Sequence, residues 1–340
     1  MKKVTIKDIA ASLGVSTTLV SFALSGGAKK YRVSEEMVRK IRAKAIEMDY
    51  HPNNAAQSLR SGRNNTIGVI LSDISNRFFA DIARCIEDEA SKNGITVLFG
   101  STDEKTERLS SLIKVFLSKG IDGLIIVPCE GSEKVIEELV ESRFPLVLLD
   151  RTFENLNVSS VTLNNIKATS IAVNELVSKG FRKIAFISYE TGLTNILDRE
   201  MGYVKAMTRA GLSEYTYVRK IDYSDKRANL AKILPDIFTD GQEAVIFSTN
   251  RLAIESLIIL RQMGKSIPED LAVIGFDGSE TFAFELYGTG ISYVKQPISQ
   301  FGSVAFSQLQ SLIAGDSNDV CMNLELNPEL VVKESSENKH

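Results

Sequence analysis

TIKDIAASLGVSTTLVSFALSG, running from Thr5 to Gly26, is the stretch from which the rest of this chain is read. Ile6, Ile9, Ala10 and Leu13 fall at i, i+3, i+4 and i+7, the spacing that lines apolar side chains along one face of a helix. Thr5 and Asp8 form a capping-box pattern at its start. Gly14 suits the left-handed conformation that ends a helix and turns the chain. Ser16 then caps a second helix. On that helix Val20, Ala23 and Leu24 face inward, whereas Thr17, Thr18, Ser21 and Phe22 face outward. A short helix with small hydroxyl side chains on its outer face fits closely into the major groove, where those groups reach base edges and phosphates. The stretch predicts a helix-turn-helix. Its alternative is a two-helix corner of an ordinary helical domain.

Working outward, Gly27–Val33 is a loop rich in Gly and basic residues. Ser34 caps a third helix whose first turn holds Glu35 and Glu36, where the helix dipole favours acids. Met37, Val38, Ile41, Ala45 and Met48 make its buried stripe, and Pro52 blocks its continuation. HPNNAAQSLRSGRNN is short, polar and poor in core residues, hence a linker. Asn53 can cap one or two helical turns, Asn54 to Leu59, too short to be stable alone in water. The segment is either a tether or a hinge that folds when DNA and a partner subunit supply contacts.

The net charge of −3 conceals an asymmetry. Residues 1–63 carry twelve Lys/Arg against five Asp/Glu, a local +7, and the remainder carries twenty-eight against thirty-eight, a local −10. A basic end on an acidic body is the footprint of a nucleic-acid-binding head on a soluble core. No apolar run approaches a membrane span, and no signal-peptide core follows Lys2 and Lys3. Three scattered cysteines, Cys85, Cys129 and Cys321, read as buried thiols of a reducing cytoplasm. Two histidines leave almost no room for a His-based metal site or a Ser-His-Asp triad.

From Thr66 the texture changes. Apolar strand-like runs alternate with amphipathic helical stretches, TIGVILSDI before Arg77–Lys92 and KIAFISY before Ile196–Ala210 among them. Continuous apolar strands joined by helices mean parallel sheets covered on both faces. Two such runs suggest two similar doubly wound subdomains, with ligands beyond the carboxyl ends of the strands. Polar residues cluster there: Ser72-Asp73, Ser101-Thr102-Asp103, Asp150-Arg151, Thr249-Asn250 and Asp277. Phosphate-binding glycine signatures, a nucleophile elbow and metal-spaced clusters are all absent from the sequence, so binding is a better reading than catalysis and no cofactor is expected.

A basic three-helix head, a PNxxAxxL linker and two βα subdomains together resemble the lactose-repressor (LacI/GalR) family of bacterial transcription regulators. The resemblance rests on TIKDIAASLGVSTTLVSFALSG, VSEEMVRKIRAKAIEMDYHPNNAAQSL, TIGVILSDISNRFFADIARCIE, GIDGLIIVP, PLVLLDR, GFRKIAFIS, IPEDLAVIGFD and LNPELVVKESS, and it covers nearly the whole chain. It implies an all-α helix-turn-helix head on an α/β core of periplasmic-binding-protein type. DNA contacts are implied for Thr5, Ser16, Thr17, Thr18, Ser21, Phe22 and Ser25, and for a hinge helix bearing Asn53, Ala56 and Leu59, with Leu59 wedged into the minor groove. Phe22 stands where many members carry arginine and cannot make the bidentate guanine contact, although it could touch a thymine methyl. An effector, a sugar or sugar phosphate, is implied between the subdomains, with Asp73, Phe78, Phe79, Asp150, Arg151, Arg199, Tyr223, Asn250 and Asp277 around it.

The expected domains are a head over 1–52, a hinge and linker over 53–64, a first subdomain over 65–162 with 292–322, and a second over 163–291 with 323–336. The chain is expected to cross between the subdomains near Asn164, near Val294-Lys295-Gln296-Pro297 and near Met322–Leu326, so that the helix from Pro297 to Ala314 belongs to the first. The leading expectation is a cytoplasmic, homodimeric regulator, of repressor type, that binds a pseudo-palindromic operator and controls carbohydrate use. A sugar-binding or sensor protein of the same core fold would lack the basic head and carry a signal peptide. An enzyme would need a catalytic constellation that the sequence lacks.

Overall fold

In the head, α1 (Ile6–Leu13), α2 (Thr17–Leu24) and α3 (Glu35–Glu47) close over a small core of Ile9, Ala10, Val20, Ala23, Ile41 and Ala45. The α1 and α2 axes differ by 111°, within the range of a helix-turn-helix. Gly14, at φ 64°, makes the turn, and the Val15 N–H donates back to the Ala10 carbonyl at 3.0 Å. Ser34 caps α3 by accepting from the Met37 N–H at 3.3 Å. This computed structural model describes residues 4–24, 28, 31–50, 63–277, 284, 288, 290–315 and 321–338. Ser25 and the expected hinge with Asn53, Ala56 and Leu59 lie outside the described residues. The chain divides into two units, Met1–Asn64 and Asn65–His340.

The second unit holds two six-stranded sheets. Its first half runs β1 (Thr66–Leu71), α4 (Arg77–Lys92), β2 (Thr96–Ser101), α5 (Thr106–Ser118), β3 (Gly123–Ile126), α6 (Glu133–Glu141), β4 (Leu146–Asp150) and β5 (Ser159–Leu163). The second half runs α7 (Asn165–Ser178), β6 (Ile184–Tyr189), α8 (Thr194–Arg209), β7 (Tyr217–Ile221), α9 (Lys226–Thr239), β8 (Ala244–Phe247), α10 (Asn250–Gln262), β9 (Ala272–Phe276) and β10 (Ser292–Lys295). Then come α11 (Ile298–Ala314), β11 (Asn323–Leu326) and β12 (Glu329–Val331). The sheet orders are β11-β5-β4-β3-β1-β2 and β12-β10-β9-β8-β6-β7. Central strands such as β4 and β8 are buried along their whole length, whereas the edge strands β2 and β7 are not. That contrast is what helices on both faces of a parallel sheet produce.

Two sequence expectations move. The strand over 292–295 belongs to the second sheet, where Ser292 pairs with Ile274 in β9, and the strand over 323–326 belongs to the first, where Asn323 pairs with Ser160 in β5. The chain therefore crosses between the halves at Asn164, at Gln296-Pro297 and after Leu326. An apolar run announces a strand, but its sheet is set by a partner far away in the chain. The crossings are laced together, with the Asn164 side-chain amide donating to Glu325 at 2.7 Å and Lys167 to Asn327 at 2.8 Å. Of the three thiols expected to be buried, only Cys129 is; Cys85 and Cys321 are partly exposed. Among the described residues no single helix is long and apolar enough to cross a membrane.

Candidate functional site

The outer face of α2 is built by the local sequence. The Ser16 hydroxyl accepts from the Leu19 N–H at 3.1 Å and fixes the start of the helix. Thr17 and Thr18 are exposed in the first turn, and Ser21 is half-buried one turn on. The Thr5 N–H and hydroxyl both donate to the Asp8 carboxylate, at 2.8 and 2.7 Å, so this threonine serves the α1 cap. Phe22 departs from the expectation of a free outward side chain. It is half-buried and stacked face to face on Tyr31, with ring centroids 3.6 Å apart and planes 7° apart. One face of the ring is thereby covered, and the half-exposed Tyr31 joins it at the edge of α2. The sequence reading missed Tyr31 because nothing local ties a loop tyrosine to a helix nine residues earlier.

In the second unit, a cavity of about 210 Å³ lies beyond the carboxyl ends of the strands of both sheets. All nine residues expected around an effector line it. The first half contributes Asp73 after β1, Phe78 and Phe79 in the opening turn of α4, and Asp150-Arg151 at the end of β4. The second half contributes Arg199 on α8, Tyr223 after β7, Asn250 at the start of α10, and Asp277 after β9. Both phenylalanines are buried and pack edge to face, 5.0 Å apart. Each therefore serves the core and the cavity wall together.

The charges are held individually. Arg199 is 3% exposed; its Nε donates to Asn165 Oδ1 at 2.8 Å and its Nη1 to the Ser248 carbonyl at 2.7 Å. Its guanidinium lies 3.7 Å from the centre of the Phe276 ring. Burial pulls its pKa down, against the pull of Asp277 and Asp150. Arg151 makes a two-pronged pair with Glu104, at 2.8 and 2.7 Å, and donates to the Pro128 carbonyl at 3.0 Å. Burial opposes the Arg151 charge, yet Glu104 outweighs it and the pKa rises. Burial pushes the Asp150 carboxyl above its usual range, and the neighbouring Arg151 and Arg199 offset this only in part. Such perturbed groups converging on a cavity mark a binding site more often than a plain core.

Several residues that the sequence reading did not single out complete the cavity. The Asn195 amide donates to Asp150 Oδ2 at 3.0 Å, and the Gln296 amide donates to Asp277. Other contacts also join the two halves. Arg251 reaches Asp73 at 3.2 Å and the Tyr223 hydroxyl at 3.3 Å. Glu130 accepts from the Thr191 hydroxyl at 2.6 Å and the Gly192 N–H at 2.8 Å. Asn195 lies four residues before Arg199, on the same helix face, which is the one local signal that pointed to it. Glu104, Glu130, Arg251 and Gln296 carry no such signal. Buried atoms without a hydrogen-bond partner include Ser72 Oγ, Asp150 Oδ1, Asn195 Oδ1 and Gln296 Oε1, all on residues that line the cavity.

Comparison with known proteins agrees with both parts. Residues 5–53 match the profile described as bacterial regulatory proteins, lacI family, and residues 173–336 that of a periplasmic binding protein-like domain. The transcriptional regulator RegA of Clostridium saccharobutylicum is 30% identical over 97% of this chain and 98% of its own length. The ribose operon repressor of Halalkalibacterium halodurans is 31% identical over 98% and 97% respectively. In structure, the chain resembles the lac repressor dimer bound to operator and the anti-inducer ONPF, with a TM-score of 0.84 and 22% identity over 99% of this chain and all of that one. It also resembles the transcription regulator CcpA of Lactococcus lactis, with a TM-score of 0.70 and 25% identity over 80% and 98%.

Proposed function

The chain belongs to the LacI family of bacterial transcriptional regulators, and from that premise we propose that it represses a carbohydrate-utilisation operon as a homodimer whose operator affinity is set by a small effector in the cleft. The cavity carries this reading. Its polar side chains come from both halves of the core, so a ligand there touches both walls and binds the closed arrangement better than the open one. That difference in affinity is what shifts the population of conformations. A ribose operon repressor among the relatives and the operator-bound lac repressor dimer among the similar structures support a sugar-type effector, a DNA partner and a dimer.

In this reading Thr17 and Thr18 meet base edges, Ser16 and Ser21 meet phosphate or bases, and the Phe22–Tyr31 stack offers an apolar edge suited to a thymine methyl. The seven-charge excess of the N-terminal segment supplies the salt-dependent part of the affinity. The test is binding of the full-length protein to a selected pseudo-palindrome and to random DNA, with and without sugars. The selected site is preferred, and an effector changes operator affinity about 5- to 150-fold, the span of a coupling of about 1–3 kcal/mol. Equal affinity for the two DNAs, or no sugar that alters operator binding, overturns the proposal.

A further inference from the structure

Resting on the cleft as the effector site, we propose that its ligand is an uncharged, hydroxyl-rich molecule that donates hydrogen bonds to the walls, and that sugar phosphates and sugar acids are turned away. The first argument is charge. Six carboxylates line the cavity against three guanidiniums. None of the three is idle. Arg151 is committed to Glu104 through two nitrogens, and Arg251 to Asp73. Arg199 spends two of its three nitrogens on Asn165 and Ser248, with a ring face against it and two aspartates as its counter-charges. Tight recognition of a phosphate or carboxylate uses a guanidinium fork or several charge-assisted donors at once. Here an anion would have to break an existing ion pair and then lie beside buried carboxylates. Two of the helix starts on the cavity, where anions are often received, are capped as well. Asn76 accepts from the Phe78 N–H at the start of α4, and Thr249 from the Leu252 N–H at the start of α10.

The second argument is hydrogen-bond polarity. Asp150 Oδ1, Asn195 Oδ1 and Gln296 Oε1 are three buried acceptors without a donor. Against them stands one buried nitrogen donor of the same wall without a hydrogen-bond partner, Arg151 Nε, which already faces the Asp150 carboxylate at 3.5 Å. The orientation of the two amides follows from chemistry, because each directs its nitrogen at a carboxylate and is left with its oxygen. A buried acceptor is costly until a donor meets it. A ligand that brings several hydroxyl hydrogens satisfies this set without adding charge, whereas a fully ionised phosphate brings only acceptors.

The experiment is a thermal-shift screen of the full-length protein at one concentration of each ligand. The panel holds neutral pentoses, hexoses and disaccharides, their phosphates, the corresponding uronates, amino sugars and inorganic phosphate. At least one neutral sugar raises the midpoint, and none of the charged compounds does. A midpoint raised by a phosphate, a uronate or an amino sugar overturns the inference, as does a panel in which no neutral sugar acts. A second arm needs no knowledge of the ligand. The double variant Glu104→Gln, Asp73→Asn releases Arg151 and Arg251, and its affinity for inorganic phosphate by calorimetry rises about tenfold or more over that of the unmodified protein, as freed charge-assisted donors require. Equal phosphate affinity in the two proteins overturns the inference. The two readings fail separately. A charged ligand that also changes operator affinity removes the charge inference and keeps the effector site. A neutral ligand that binds without changing operator affinity removes the regulatory reading instead.

Discussion

The two halves of the core repeat one design and then diverge at equivalent positions. Their first five strands follow the same spatial order, β5-β4-β3-β1-β2 and β10-β9-β8-β6-β7. In each half the fourth strand delivers an aspartate to the cavity, Asp150 at the end of β4 and Asp277 just beyond β9. Both adopt the left-handed conformation, with φ of 65° and 66°. Aspartate tolerates that region better than most residues, and a non-glycine residue held there is commonly part of a site. Their partners differ. Asp150 is met by Asn195 from the opposite half, and Asp277 by Gln296 from the crossing segment. The repeated fold thus supplies two matched carboxylates, and the surrounding side chains tie one to the opposite half and the other to the crossing segment. The arginines diverge too: Arg151 is paired directly with a carboxylate of its own half, whereas Arg199 is hydrogen-bonded by an amide and a carbonyl, faces an aromatic ring, and has Asp277 and Asp150 as counter-charges near it.

The largest effect tests the arginines. Arg199→Ala leaves buried aspartates without their counter-charge and costs about 3–5 kcal/mol in urea unfolding. The ligand response is lost, and operator binding in the absence of ligand is retained. Arg151→Ala leaves the partly exposed Glu104 able to reach water and costs less, about 1–3 kcal/mol. Equal losses would show that the two sites are energetically alike.

Next are the glycines at the helix crossings. A Cβ on Gly202 in α8 would lie 2.4 Å from the Ile166 carbonyl oxygen of α7, and one on Gly302 in α11 would lie 2.5 Å from Cys85 Cβ of α4. Overpacking costs about 1–3 kcal/mol. Gly202→Ala falls at or beyond the upper end because three backbone atoms of Ile166 lie within 3.0 Å, and Gly302→Ala falls lower because only the Cys85 Cβ is that close, the backbone atoms beside it lying at 3.3 Å. The reverse ranking in thermal unfolding would mean that the second-half crossing is the more yielding one.

The smallest effect is a pair of opposite pH dependences. Burial raises the Asp150 pKa in the folded state, so its ionisation opposes folding. That penalty is absent below an unfolded pKa of about 3.9, builds up as pH rises from there to the folded value, and is constant above it. Asp150→Asn therefore gains stability relative to the unmodified protein as pH rises, while ligand binding weakens. For Asp73, burial is outweighed by the Ser75 hydroxyl and amide and by Arg251, and the pKa is lowered. Its contribution is present above the unfolded pKa and is lost as pH falls through the folded one. Asp73→Asn costs about 0.2–1 kcal/mol at neutral pH and nothing in strong acid, as befits a partly exposed ion pair. Unfolding midpoints of the two variants that run parallel with pH would contradict the assignment.

What the sequence determined was local. The Thr5, Ser16 and Ser34 caps, the Gly14 turn and the apolar stripes of the head act within about four residues, the reach of a helical turn. The alternation of apolar strands and amphipathic helices established the α/β core, and polar residues at strand ends located seven members of the cavity wall, although the equally polar Ser101-Thr102-Asp103 lies off it; Phe78, Phe79, Arg199 and Tyr223 were named only through the family resemblance. Tertiary structure decided the pairings. Arg151 meets Glu104 from 47 residues away, and Asp150 meets Asn195 from 45. Phe22 becomes half of a stack only when the loop brings Tyr31 over it. The strands over 292–295 and 323–326 carry no mark of their sheet, because a strand offers the same backbone donors and acceptors to any neighbour. Only the packing of the whole core selects β9 for the one and β5 for the other.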